Sequence, residues 1–214
     1  MDDDLTVALA GVRDVFARYP RRAVLDGCPH CRGDVLVDEH DLFSLTISLG
    51  NTVGSRDDVK SLLPVFLESL VVSEDLFPGI ILGKLPREEW RTWPQDEQAA
   101  IDAYLDAVWR SLLAHHPARL GAFEDAATFL DAARAAGERA ERFLDVWDAT
   151  PTASADRHLA EMVSRLDVVK AKPNLLGDWL RREAVRDRLH RAFERDHDSA
   201  WADDLARAYD LLRR

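Results

Sequence analysis

The feature that most constrains this chain is an apolar stripe at helical spacing that recurs almost end to end. Short connections carrying Gly or Pro interrupt it. Leu5, Leu9, Val12 and Phe16 stand at i, i+4, i+7 and i+11, the spacing of one helical face, and predict a helix over 4–18. The acids at its start suit the positive end of a helix dipole, and Tyr19-Pro20 closes it. Ile101, Leu105, Val108, Trp109 and Leu112 make a second stripe, with Asp102, Asp106 and Arg110 on the opposite face. Thr92 is read as its N-cap, with Pro94 in the first turn and Gln95 three residues on, and His115-His116-Pro117 as its end. Further stripes predict helices over 123–135, 138–147, 155–169, 175–196 and 199–212. Gly121, Gly137, Thr150-Pro151 and Pro173-Asn174 punctuate them.

Two stretches are less direct. In 43–49, Ser44, Thr46 and Ser48 alternate with Leu45, Ile47 and Leu49, a strand's period. Leu42, Leu45 and Leu49 also fit a helical face, and helix is preferred. Ser55 with Asp58 is a variant capping box opening a helix over 56–72, in which Pro64 cannot donate to Lys60 and predicts a kink. A short helix is expected over 80–85. Val35-Leu36-Val37 reads as a very short β element. No motif recurs at a fixed period, and the six Trp follow none, so a solenoid is not supported. Each stripe covers one face only, so the helices must pack on one another. The expectation is an all-α, irregular multi-helix bundle, with residues 1–116 and 117–214 as two helical parts packed as one globular unit.

Charge narrows the function classes. The chain of 214 residues carries net charge −11 and a pI near 5.1. That argues against non-specific nucleic-acid binding, which needs a surplus of Lys and Arg. Residues 1–110 hold 11 basic and 20 acidic side chains, so the acidity is concentrated there. No apolar run approaches the ~18 residues of a membrane span; 70–82 is broken by Ser73, Glu74, Asp75, Pro78 and Gly79. The start Met1-Asp2-Asp3-Asp4 is unlike a cationic targeting segment, and a cytoplasmic location is expected.

Cys28-Pro29-His30-Cys31 is the one constellation with specific chemistry. A C-x-x-C can share a metal or form a redox disulfide. Thioredoxin-like chemistry needs a strand before and a helix starting at the first Cys, whereas Gly33 breaks any helix directly behind the second. A structural zinc knuckle is the better chemical reading, with Cys28 and Cys31 as ligands and His40, nine residues beyond Cys31, or His30 as further candidates. Asp34 or Asp38 can also contribute. Two small apolar packers in a loop is the competing reading.

Other motifs carry less. Gly79 to Leu85 has one residue too few for a phosphate loop, and Leu85 replaces the metal-binding hydroxyl. His190, Glu194 and His197 match half of a di-iron motif and lack the second half, so an exposed charged face accounts for them. Arg181, Arg188, Arg191 and Arg195 line one side of the same helix, interleaved with Glu183, Asp187 and Glu194, and read as an internally paired solvent face. His115-His116 suits a helix C-terminus. No Ser-His-Asp arrangement or G-x-S-x-G stands out.

Between Tyr19 and about Pro117 the chain resembles a family of uncharacterised bacterial proteins common in actinobacteria. The resemblance rests on Tyr19-Pro20, Cys28-Pro29-His30-Cys31, Thr52-Val53-Gly54-Ser55 with Asp57-Asp58, Leu63-Pro64 with Leu67-Glu68, Gly83-Lys84-Leu85 and Trp90-Arg91-Thr92-Trp93-Pro94. It implies helix over 43–49 and a cysteine pair that is no accident of this chain, and brings no activity or catalytic residues. The functional expectation is a binding or scaffolding module with a protein partner and a structural zinc knuckle. The alternative is a thiol-dependent redox enzyme or sensor using the same cysteines.

Overall fold

The computed structural model describes residues 2–27, 30, 34–37, 42–166 and 175–213. The all-α expectation holds: helices dominate, with one two-stranded antiparallel sheet. Helix α1 (Asp3–Phe16) is capped by Asp2, whose carboxylate accepts from Leu5 N, and buries the predicted stripe. Strand β1 (Val24–Leu25) pairs with β2 (Val35–Leu36), Val24 opposite Leu36. Val35-Leu36 thus finds its partner on the other side of the cysteine-bearing connection.

Helix α2 (Leu42–Ser48) resolves the ambiguous stretch as helix. The hydroxyls that imitated a strand's alternation turn back on the helix itself: Thr46 Oγ1 donates to Phe43 O at 2.6 Å and Ser48 Oγ to Ser44 O at 2.9 Å. Helix α3 (Arg56–Val72) opens on the predicted capping box, with Ser55 and Asp58 each satisfying the other's backbone N–H. The short helices α4 (Pro78–Leu82) and α5 (Lys84–Arg87) follow.

Helix α6 (Gln95–Ala114) starts later than predicted. Thr92 closes a 3-10 turn over Trp90–Thr92, its hydroxyl donating to Glu89 O, and Pro94 takes the cap position. The buried Trp90, whose Nε1 donates to Ala136 O at 2.9 Å, pins that turn. At 20 residues α6 is about 30 Å long and forms the spine. Its buried face carries Ile101, Tyr104, Leu105, Val108, Trp109 and Leu112. Helices α1, α7 (Ala126–Ala135), α8 (Glu141–Asp148) and α9 (Ala153–Arg165) pack around it.

The predicted helix over 175–196 is two: α10 (Leu175–Leu180) and α11 (Glu183–Asp196), with Arg182 in extended conformation between them. The apolar stripe changes phase there. From buried Leu180 to buried Val185 is five residues, about 140° off one face at 100° per residue, so a straight helix cannot bury both. Helix α12 (Ala202–Leu212) packs on α9 and α11. One continuous apolar cluster runs from Leu5 to Ala208 with no break near 117.

Polar groups tie the elements together inside. Lys60 Nζ lies 2.7 Å from Glu97 Oε2 and 3.0 Å from Tyr19 Oη, and Tyr19 donates to Glu97 Oε1 at 2.6 Å. The ammonium also sits over the Trp93 ring, 4.3 Å from its centroid. At the turn before α7, a Cβ on Gly121 (φ +52) would lie 2.5 Å from Leu70 O, while Ala122 N donates to that same carbonyl at 2.9 Å.

Candidate functional site: a histidine-lined cleft

Where α6 ends, its last carbonyls need donors. His115 is already extended, and the chain turns through Pro117 toward Gly121. Helix α9 supplies the missing donor. His158, 1% exposed, brings Nε2 to 2.9 Å from Leu112 O and 2.8 Å from His115 O. Carbonyls only accept, so Nε2 carries a proton, and in the tautomer this selects the lone pair is on Nδ1. That Nδ1 is buried and has no hydrogen-bond partner among the described residues, and neither does Nδ1 of His116.

The two imidazoles meet edge to face, with centroids 4.6 Å apart. His116 Nε2 lies 3.4 Å from Glu161 Oε2. Glu161 is i+3 from His158 on the same face of α9, and its Oε1 accepts from Arg165 at 2.7 Å. Arg165 in turn pairs with Asp125, the N-cap of α7. Burial, with the nearby charge of Arg157, holds His116 below the ordinary imidazole value of 6.5 against the pull of Glu161.

His116 faces a cleft of about 570 Å³ between the end of α6, the start of α9 and Trp201. The charged and titratable lining is Arg119, Arg157, His115 and His116 against one carboxylate, Asp2, which is occupied as the cap of α1. The Arg157 guanidinium lies over the Trp201 ring, 4.5 Å from its centroid. Ser154 Oγ, in the first turn of α9, borders the cleft without a hydrogen-bond partner among the described residues. A smaller cavity of about 230 Å³ adjoins through His116, Arg157 and Trp201 and is also lined by Glu161.

The residues singled out from sequence fall elsewhere. Cys28, Cys31 and His40 lie outside the described residues, and His30 is exposed. His190 and His197 sit on an exposed face. Lys84 is buried and donates to Leu49 O at 2.6 Å, and burial pushes its amine down to about 8. Arg188 corrects the reading of a solvent-facing arginine stripe. It is 7% exposed and donates to Asp156 Oδ1 at 2.6 Å, to Thr150 O at 2.6 Å and to Trp147 O. Its partner lies on α9, not on its own helix. The signal for His158 was present: Ala155, His158, Leu159, Met162 and Val163 follow the helical stripe, so His158 belongs to the buried face.

No protein-family model, curated protein or solved structure matches the chain. No helix among the described residues is long and apolar enough to cross a membrane.

Proposed function

We propose that this protein is a binding module whose ligand is a small anion seated in the cleft beside His116. The observation that carries the reading is a local reversal of charge. On a chain of net charge −11, this cleft sets two guanidiniums against one committed carboxylate, with two imidazoles beside them as hydrogen-bonding groups. Its volume lies within the ~300–1,000 Å³ of small-molecule sites. Stacking on Trp201 fixes the plane of the Arg157 guanidinium, which favours planar recognition of carboxylate or phosphate oxygens. The N-terminal end of α9 adds its positive dipole and the unpartnered Ser154 hydroxyl.

Thermal unfolding with phosphate, pyrophosphate or citrate, against sodium chloride of equal ionic strength, tests this. At least one of the three raises Tm in the parent chain, and Arg157→Gln weakens that response about tenfold, the loss of one charge-assisted contact. An Arg157→Gln chain that responds like the parent, or no response beyond salt, refutes the reading.

A second observation favours the protein-partner expectation. Phe43 and Ile47 on α2 and Phe77 and Ile80 at α4 are each at least 41% exposed, and the Phe43 and Phe77 rings meet edge on at 6.0 Å. Contiguous exposed apolar groups of this kind mark contact surfaces. Phe77→Asp is expected to release a co-purifying partner while leaving Tm unchanged. The zinc knuckle at Cys28 and Cys31 is a separate proposal, tested by zinc content, which is expected to fall by one equivalent in Cys28→Ser.

A further inference from the structure

The geometry points to a second site, unrelated to the cysteines: His116, His158 and Glu161 form a three-ligand centre for a divalent transition-metal ion, with His116 and Glu161 bordering the smaller cavity. One donor atom from each of the three side chains lies within 4.8 Å of the other two. Two imidazoles and a carboxylate are a ligand set of open zinc sites, which keep a fourth position for a small molecule. Zn²⁺ with donors at ~2.1 Å places them about 3.4 Å apart, so the cluster must contract by up to about 1.4 Å. The movable members are at the rim, since the His116 and Glu161 side chains are 15% and 35% exposed, whereas His158 is held by the carbonyls of Leu112 and His115.

Three observations favour a metal over a merely structural cluster. His158 donates Nε2–H to backbone carbonyls, the outer contact that fixes the tautomer of a metal-ligating histidine and frees its other nitrogen. That nitrogen is buried and unpartnered, a state that costs free energy unless something fills it. Glu161 is likewise oriented through one oxygen by Arg165, leaving Oε2 toward His116. Arg157 and Arg165 oppose a cation, so the affinity is moderate and the fourth position favours an anion. The metal does not depend on the anion reading above.

The test uses the full chain carrying Cys28→Ser and Cys31→Ser, so that thiols cannot contribute. After chelator treatment it is titrated with Zn²⁺ by calorimetry and with Co²⁺ by absorption. The expected result is one equivalent of Zn²⁺, a Co²⁺ ligand-field spectrum without thiolate charge transfer, and a higher Tm with Zn²⁺. Glu161→Gln and His116→Asn each weaken Zn²⁺ binding at least tenfold. Both positions are partly exposed, so the variants keep the test meaningful even if His158→Asn fails to fold. Absence of a Zn²⁺ equivalent, or unchanged affinity in both rim variants, overturns the proposal. Zinc retained at one per chain in Arg157→Gln, with the anion response weakened, separates this site from the anion reading.

Discussion

Replacing Lys60 by Met should be among the most damaging single changes in the molecule. Lys60 is 5% exposed and Glu97 0% exposed, and they meet at 2.7 Å. Removing one member of a buried ion pair costs about 3–5 kcal/mol, here toward the low end because Tyr19 and Arg18, 4.0 Å away, still reach Glu97, against a total stability of roughly 5–15 kcal/mol for a domain. Lys60→Met also forfeits the cation–π contact with Trp93. The damage arises from the stranded carboxylate, so removing Glu97 as well should repair most of it. Lys60→Met/Glu97→Leu should lie within about 2 kcal/mol of the parent, because burial of two charges barely repays their desolvation. The residual loss then belongs to the Tyr19 hydroxyl, which has lost both its partners, and Tyr19→Phe in that background should recover about 1 kcal/mol. Urea unfolding followed by circular dichroism, with unchanged m-value, gives these differences. A Lys60→Met cost below about 1 kcal/mol, or a double variant no better than the worse single one, would refute the argument.

Other outcomes follow from the same reasoning. Gly121→Ala is expected to lose at least about 2 kcal/mol in thermal or urea unfolding, since a side chain there is strained and collides with the backbone of Leu70. Arg188→Met strands buried Asp156 and two carbonyls, and should cost about 3 kcal/mol, the low end because Arg195 still reaches Asp156 at 2.9 Å. Burial pushes Asp58, Asp102 and Asp125 up, yet hydrogen bonds from Arg22 and Ser55, from Arg91 and Arg142, and from Thr128 and Arg165 hold all three below the carboxylate value of 3.8. Their folded pKa values lie below the unfolded ones, so the stability they contribute is complete above about pH 5 and drains away as pH falls below about 4. A Tm series from pH 6 to pH 2 should show this loss, and Asp102→Asn should flatten it.

Local patterns were legible and distant partnerships were not. The stripe from Leu5 to Phe16 and the Ser55–Asp58 box were readable because both depend on contacts within a few residues. The phase change between Leu180 and Val185 was also readable in principle, by counting 100° per residue through the break. Thr92 misled because a local cap signal competes with a tertiary one, the bond from Trp90 to Ala136. Arg188 misled in the same way: acids at helical spacing suggested local pairing, and its partner is Asp156, 32 positions away. The histidine cluster joins residue 116 to residues 158 and 161, a juxtaposition no spacing rule addresses.

Three ring N–H groups place carbonyl bonds across the middle of the chain. Trp90 pairs with Ala136, Trp109 with Phe143, and His158 with Leu112. The last of these spans 46 residues, which a ribosome adds in about 2–9 s at 5–20 residues per second. Through that interval the end of α6 lacks the His158 donor, and until residues 136 and 143 are added Trp90 and Trp109 lack their acceptors. A nascent protein halted near residue 116 would therefore present Trp90 and Trp109 to the cell as sticky, unfinished surface. The last of these bonds can form only once α9 has emerged.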